Sequence, residues 1–235
     1  MQLINDLWKI ISTAEYRNYL FSGFLHTLII TVIAALIGLL IGIVIAIIKI
    51  FAEENKYLKI PAVLCNLYTK IIRGTPVALQ LFIMVFVVLA IPGFKIYAVI
   101  LTFGINSGAY VSENIRAGIL SVDKGQTEAG RALGLSQLQT MIKIVIPQAI
   151  KNVIPAIGNE LIALVKETAI ISIVGATVGT LTFELNKAMD KISTALGGNY
   201  LAPSILVALL YLVIVYSITL IIKLLEKRLR ASDKR

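Results

Sequence analysis

The chain has 235 residues, of which 58% are hydrophobic and only 15% are charged. Soluble domains contain roughly 25% charged residues and at most about half apolar ones, so this composition excludes an ordinary soluble globular domain. The net charge of +9 does not indicate a nucleic-acid-binding protein, because the basic residues cluster at the ends of apolar runs.

In chain order, the apolar runs predict an all-α, polytopic membrane protein with five transmembrane helices. The first run includes residues 28–48, which contain no charge, and a helix of about 20 such residues spans a bilayer core. The stretch before it does not have the pattern of a signal peptide, so the first span is expected to be retained. The predicted spans cover residues 22–50, 75–91, 96–119, 152–175 and 201–224, and an amphipathic stretch, 57–72, precedes the second.

Residues 1–235 are predicted to form a single transmembrane domain, because the sequence shows no internal repeat and no low-complexity linker. Its orientation follows from the 22 Lys and Arg residues. Five of them, Lys9, Arg17, Lys95, Lys187 and Lys191, fall on the side of the N-terminus. Sixteen fall on the side of the C-terminus: Lys49, Lys56, Lys59, Lys70, Arg73, Arg116, Lys124, Arg131, Lys143, Lys151, Lys223, Lys227, Arg228, Arg230, Lys234 and Arg235. By the positive-inside rule the N-terminus lies outside, and the C-terminus and the long loop 120–151 are cytoplasmic.

The loop 120–151 is predicted to contain two short helices with a sharp bend. The first runs from Thr127 to Leu133 with Glu128 in its first turn, and Gly134 suits a left-handed C-cap. Ser136 can cap a second helix that runs to Ile146, where Pro147 stops or kinks it. Such an exposed corner is a natural docking element for a cytoplasmic partner, although a surface-lying or re-entrant connector is an alternative.

Several motifs in this order resemble the binding-protein-dependent ABC importer permeases. The loop carries Glu128-Ala129-Gly130, then Gly134 and the apolar-proline end at residues 144–147. The stretches IIRGTPVALQLF (71–82), GAYVSENIRAGILSVDKGQTEAGRALG (108–134) and NELIALVKETAI (159–170) resemble the branch that imports polar amino acids. Gly130 departs from the usual Ala and is expected to loosen the first helix, by up to about 1 kcal/mol.

The resemblance implies a set of partners. Two permease subunits, either two copies of this chain or one copy and a homologue, would form the pore in a bacterial-type cell membrane. A dimer of ABC ATPase subunits would bind ATP and Mg, and an extracytoplasmic solute-binding protein would deliver the amino acid. The chain contains no G-x-x-x-x-G-K-[ST] motif, so no cofactor is expected in this subunit. The residues expected at the ATPase contact are Gln126, Glu128, Ala129, Gly130, Arg131, Leu133 and Gly134.

Charges within the predicted spans mark candidate substrate-binding residues, because an ionisable group in a membrane is costly. Glu113 and Glu160 lie at similar depths, roughly 10–12 Å from the inner edge at 1.5 Å per residue. Glu113 has a competing interpretation, since it can pair with Arg116 on the same helix. Glu160 has no cation three or four residues away and is the better candidate. The full predicted set comprises Glu113, Glu160, Asn66, Thr69, Asn106 and Tyr110.

Two further motifs are predicted to be structural or to act in gating. Arg73 introduces the segment Gly74-Thr75-Pro76, which is interpreted either as a hinge or as a helix start with Thr75 as N-cap. The second motif is Lys166, Glu167 and Thr168, whose charged side chains need partners on other helices. The resembling family carries a similar motif whatever its substrate.

The sequence therefore predicts a transport subunit rather than an enzyme, with no catalytic residue and no metal site. Cys65 and His26 are the only cysteine and histidine, and they cannot form a zinc site or a disulfide. The predicted substrate is a basic amino acid, since two carboxylates at one depth suit a cation. The alternatives are a glutamine or glutamate permease of the same class and, in other classes, an ion-gradient-driven secondary transporter or a membrane enzyme.

Overall fold

The computed structural model describes residues 1–52, 55–175 and 179–231, and these residues form helices and turns without a strand. Four helices are long: α2 (Ala14–Phe51), α5 (Lys95–Leu120), α8 (Ile146–Glu167) and α10 (Leu201–Ala231). The shorter ones are α1 (Gln2–Ser12), α3 (Lys59–Gly74), α4 (Val77–Ile83), α6 (Lys124–Ala132), α7 (Gln137–Thr140) and α9 (Leu185–Ala195). Four shorter helical segments are also present: the 3₁₀ segments Lys56–Leu58 and Thr168–Val174 and the π-helical segments Met84–Val88 and Met141–Val145.

Two helices are long and apolar enough to cross a membrane, Ala14–Phe51 and Leu201–Leu229. A third span arises if Lys56–Gly74 and Val77–Val88, which a break separates, are counted together. The predicted third and fourth spans are also helical, as α5 and α8. These two helices carry Glu113, Arg116, Glu160 and Lys166, which lower their hydropathy. An all-helical membrane fold is thus confirmed, and the count of five spans stays a prediction.

Pro147 was predicted either to stop or to kink the helix that precedes it. The first alternative is wrong, and the kink stays a prediction. The chain stays helical from Gln137 to Glu167, with the π-helical turn Met141–Val145 immediately before the proline. Proline has no N–H for the bond to the preceding turn, and its ring crowds the carbonyl there. A single wider turn at this point lets the helix continue past the proline. The predicted fourth span, 152–175, therefore starts six residues earlier as a helix.

The chain divides into two compact units, the first of which comprises Met1–Leu36, Pro76–Gly104 and Ile162–Ser217. Its main core contains large side chains that are fully buried: Ile30, Leu81, Phe103, Leu164 and Ile171. A smaller cluster attaches α1 and α9 through Ile10, Tyr16, Ile192 and Ala202. Because lipid tails are themselves apolar, close packing rather than removal from water stabilises such cores in a membrane protein.

Helix α9 lies between the predicted spans 152–175 and 201–224, where no helix was predicted; residues 176–178 lie outside the described part. Glu184 begins this helix, and its carboxylate accepts hydrogen bonds from the backbone N–H groups of Asn186 and Lys187. The Tyr211 hydroxyl on α10 donates to the same carboxylate at 3.2 Å. A fully buried glutamate thus fixes α9 to its own unit.

The second unit comprises Ile37–Thr75, Ile105–Leu161 and Ile218–Arg235. Within it, α2 and α5 approach closely at Gly42, where an added Cβ would lie 2.5 Å from Val111 Cγ1. On α2, Gly38 lies one turn before Gly42 and faces Ser107 in the same way. Small residues spaced by four allow membrane helices to pack backbone against backbone. This contact brings the end of α2 beside the middle of α5.

Candidate functional site

Glu113 is held by two cations in the second unit. Its Oε1 atom accepts a hydrogen bond from Lys49 Nζ at 2.8 Å. Its Oε2 atom accepts two from the Arg116 guanidinium, both at 3.1 Å. The pairing with Arg116 that the sequence left open is therefore present, and both carboxylate oxygens are occupied.

Lys49 was counted among the cations of the cytoplasmic side, but its side chain is not free in a loop. It lies in the last turn of α2, with a side chain that is 5% exposed. Its ammonium also donates to the Thr69 hydroxyl at 2.8 Å, so it links α2, α3 and α5. The sequence offered one signal for this role, since Lys49 falls inside the predicted span 22–50 rather than after it.

The remaining predicted substrate residues of this region differ in burial. Thr69 is buried and donates its hydroxyl to the Asn66 carbonyl at 3.1 Å. The Asn66 side chain is exposed and lines a cavity together with Glu113. Asn106 on α5 is buried. The structure thus brings Thr69 and Glu113 together through Lys49.

Glu160 belongs to a second group of contacts in the same unit. The Ser107 hydroxyl is hydrogen-bonded to its carboxylate, and Arg73 lies close enough for its charge to act on it. The Arg73 guanidinium lies over the Tyr110 ring, 5.2 Å from its centroid, in a cation–π contact. The group therefore presents one anion, one cation, one hydroxyl and one aromatic face.

The break after Arg73 differs from the predicted helix start. Helix α3 ends at Gly74, and the Thr75 hydroxyl donates back to the Ile71 carbonyl at 2.9 Å. Pro76 takes the N-cap position of α4, with Val77 as its first helical residue. The interpretation with Thr75 as N-cap and Pro76 inside the helix was wrong, because Pro76 has an extended backbone and lies outside α4. The hinge role stays a prediction.

Lys166, Glu167 and Thr168 lie where α8 narrows from α-helical to 3₁₀ geometry. Lys166 is exposed, whereas Thr168 is fully buried and donates its hydroxyl to the Val165 carbonyl at 2.7 Å. Their structural or gating role stays a prediction.

The corner in the loop 120–151 has the predicted form with corrected boundaries. Gly134 adopts a positive φ of 83°, which confirms the left-handed C-cap. Ser136 caps the next helix through a capping box with Gln139, which confirms its predicted role. The first helix, α6, begins at Lys124 rather than Thr127, because the Asp123 carboxylate accepts from the Gly125 N–H. Glu128 therefore lies beyond the first turn, contrary to the prediction.

Gly130 lets the corner pack closely, a role that its helix propensity does not predict, and the expected loosening of α6 itself stays a prediction. Gly130 is buried against the following helix, and an added Cβ would lie 2.8 Å from Thr140 Cγ2 and 2.9 Å from Ile144 Cδ1. Both distances are shorter than ordinary van der Waals contact between carbon atoms. The glycine thus allows α6 to pack closely on the segment that leads into α8.

The opposite side of α6 is open. Glu128, Ala129 and Arg131 are exposed, and Leu133 is 81% exposed at the end of the helix. Gln126 accepts a hydrogen bond from the Gln148 side chain at 3.2 Å, which ties α6 to α8. An exposed apolar side chain on a fixed corner is suited to contact another protein.

Comparison with known proteins identifies the class. Residues 38–231 match the family described as binding-protein-dependent transport system inner membrane component. The chain therefore belongs to this family, whose members are the membrane-embedded permease subunits of ABC transporters. It is a multi-pass inner-membrane subunit of an amino-acid transporter that works with separate ATPase subunits, and it is not itself an enzyme.

Two similar proteins are named as permeases for different amino acids. The arginine transport system permease protein ArtQ of Bacillus subtilis (strain 168) is 42% identical over 175 residues, which cover 72% of this chain and 76% of that protein. The putative glutamine transport system permease protein GlnP of Rickettsia bellii (strain RML369-C) is 42% identical over 182 residues, covering 76% of this chain and 79% of that protein.

Solved structures agree with the fold. The crystal structure of an amino acid ABC transporter with histidines superposes with a TM-score of 0.81 at 35% identity, covering 93% of this chain and 98% of the other. The MetNI methionine ABC transporter in an inward-facing conformation gives a TM-score of 0.77 at 21% identity, covering 92% and 99%. At 21% identity, the similarity to the methionine transporter is a similarity of fold alone.

Proposed function

We propose that this permease subunit imports a basic amino acid, such as arginine, lysine or histidine. The observation that carries the proposal is the group around Glu160. Every free amino acid has a carboxylate and an ammonium, and the group offers Arg73 for the first and Glu160 for the second. Charge-assisted hydrogen bonds of this kind are roughly twice as strong as neutral ones.

The preference for a basic side chain rests on a second acidic group and on similar proteins. Glu113 lies in the same unit and would receive a side-chain cation if the ligand took the place of Lys49 or Arg116. The similar proteins include an arginine permease and a transporter crystallised with histidines. The names of these two proteins mention arginine and histidine, which are both basic amino acids.

Glutamine is the second candidate, and the ion pairs of Glu113 favour it. Because Lys49 and Arg116 already neutralise Glu113, one carboxylate is left for a ligand, which suffices for the α-ammonium alone. A neutral side chain then needs no further anion. The similar glutamine permeases match this chain as well as the arginine permease does.

Competition for uptake distinguishes the candidates. The complex is reconstituted into vesicles, and uptake of labelled arginine is measured with unlabelled lysine, glutamine and glutamate as competitors. Glu160→Gln should weaken arginine uptake roughly 5- to 150-fold, the effect of losing a hydrogen bond to a charged group. The matched variant Glu226→Gln, on α10, should leave it unchanged. A wild-type preference for glutamine or glutamate would contradict the proposal.

For assembly, we propose two permease subunits of five spans each, with the N-terminus outside and the C-terminus in the cytoplasm. The second permease is a copy of this chain or a homologue, and an extracytoplasmic solute-binding protein delivers the substrate. ATP and Mg bind to the ATPase dimer, which docks on α6 through the exposed side of Glu128, Ala129 and Leu133.

Two measurements test this assembly. A reporter fused to the C-terminus should be cytoplasmic, and one inserted at Gly197 should be external; the same side for both would contradict five spans. Uptake into vesicles should require ATP inside the compartment that holds the ATPase. Uptake driven by an ion gradient without ATP would instead indicate a secondary transporter.

A further inference from the structure

The second unit contains a partly open cavity of about 800 Å³, which has Glu113 and Asn66 in its wall and extends from them to cations that the proposed transport mechanism does not use. Its walls come from the end of α2, from α3, from the end of α5, and from α6 with the segment that follows it. Five cationic side chains line it: Lys49, Lys59, Arg116, Lys124 and Arg131. Glu113 is the single carboxylate in the described lining.

Among the described residues, the cations that line this cavity outnumber the carboxylates that neutralise them. Glu113 serves both Lys49 and Arg116, and the Arg131 guanidinium reaches only the Leu135 carbonyl at 3.3 Å. Lys59 and Lys124 are exposed, and their ammonium groups make no hydrogen bond or ion pair with another residue of the described ranges. Glu53 and Glu54 follow α2 in the sequence and lie outside those ranges. On the side of Lys59, Lys124 and Arg131, an anion would be attracted.

The same cavity has apolar walls. Val63 on α3 is 65% exposed, and Leu120 at the end of α5 is 61% exposed. Val145 and Met141 complete this wall. The cavity therefore combines unneutralised cations with exposed apolar side chains, which a free inorganic anion would not use and an amphiphile would.

We propose that this cavity binds the headgroup of an anionic phospholipid. Lys59, Lys124 and Arg131 would contact the phosphate, and an acyl chain would lie along Val63 and Leu120. Basic pockets at the cytoplasmic ends of membrane helices are suited to such headgroups. Because Lys124 and Arg131 belong to α6, the lipid would connect the docking corner to the membrane surface. The proposal depends on the orientation proposed above only for the choice of leaflet.

Lipid binding to the intact transporter tests the proposal. The purified complex is placed in nanodiscs of phosphatidylcholine, and binding of phosphatidylglycerol is measured by native mass spectrometry across a titration. Lys59→Gln combined with Lys124→Gln should weaken binding roughly 30-fold, since each lysine near an anionic lipid contributes about fivefold. Lys223→Gln combined with Lys227→Gln, two exposed lysines of α10, should have little effect.

Three results would overturn the inference. Equal loss in both double variants would show a diffuse surface charge rather than a site. Equal binding of phosphatidylglycerol and phosphatidylcholine to the wild type would show no headgroup recognition. Full displacement of phosphatidylglycerol by inorganic phosphate would show that a soluble anion, not a lipid, fills the cavity. Lipid binding is measured without transport. The result can therefore be interpreted even if the proposal for a basic amino-acid substrate fails.

Discussion

The ammonium of Lys49 lies 2.8 Å from Oε1 of Glu113, and this ion pair joins the last turn of α2 to the middle of α5. The side chains are 5% and 20% exposed. Removing one member of a buried pair costs about 3–5 kcal/mol, because the other charge stays in a poorly solvated place. Since Arg116 still serves Glu113, Lys49→Met should cost an amount near the lower end of that range.

A double variant tests whether this loss of stability comes from the pair of Lys49 and Glu113. Replacing both residues, as Lys49→Met with Glu113→Gln, should recover most of the lost stability, because no uncompensated charge remains. The measurement is the thermal unfolding midpoint of the detergent-solubilised complex. Lys223→Met, at an exposed position of α10, is the control. Additive losses in the double variant would show that the two residues act independently.

A second prediction concerns Gly130. Helix propensity alone predicts that Gly130→Ala stabilises α6 by up to about 1 kcal/mol. The structure predicts the opposite, because the new methyl group would meet both branches of Thr140 and the end of Ile144. The variant should unfold at a lower temperature and should form less complex with the ATPase.

Thr140→Ala provides the rescue for this variant. The Thr140 hydroxyl is buried and has no hydrogen-bond partner among the described residues, so removing it should cost little. Combined with Gly130→Ala, it makes room for the new methyl group. Failure of Thr140→Ala to restore stability would place the effect of residue 130 somewhere other than this contact.

A third prediction separates ATP hydrolysis from transport. Glu128→Lys reverses an exposed charge, and Gly134→Pro forces φ to about −65° where the structure requires a positive value. Both variants should assemble in the membrane and lose uptake. Vesicle uptake and ATPase rate are measured together, with Lys151→Gln as a variant outside the corner. Normal uptake in both variants would remove α6 from the coupling mechanism.

A fourth prediction is a dependence of stability on pH through Glu184. Burial raises the pKa of this carboxyl from 4.5 to about 7, against the opposing effect of the backbone N–H groups of Asn186 and Lys187. Between these two values the folded chain binds more protons than the unfolded chain. Stability should therefore fall as the pH rises from about 4.5 to about 7 and change little beyond it.

Glu184→Gln tests the source of this dependence. The amide keeps an oxygen that accepts from one backbone N–H group, and it cannot ionise. The unfolding midpoint of the variant should fall less between pH 5 and pH 8 than that of the wild type. Glu15→Gln, an exposed glutamate on α2, should keep the wild-type slope. An unchanged slope in Glu184→Gln would assign the pH dependence to other groups.

Local rules predicted the features that depend on neighbouring residues. Gly134 and Ser136 took their predicted positions because a left-handed cap and a capping box need only a few consecutive residues. Contacts between distant segments were not predictable in this way. Lys49 and Glu113 are 64 residues apart, and which cation would reach the carboxylate depended on how closely α2 packs on α5. The π-helical turn before Pro147 has a local cause, but the sequence does not decide between a wider turn and the end of the helix.

The continuous helix that begins at Gln137 and passes through the π-helical turn to Glu160 has a mechanical consequence. Its 23 residue steps span roughly 35 Å at 1.5 Å per step. We expect this helix to move largely as one body. A rotation at the Ser136 corner should then turn the Glu160 carboxylate about the helix axis. The wide turn at Met141–Val145 and the internal Pro155 both interrupt the regular α-helical hydrogen bonding of this helix. We expect these two points to set how much of a rotation at the corner reaches Glu160.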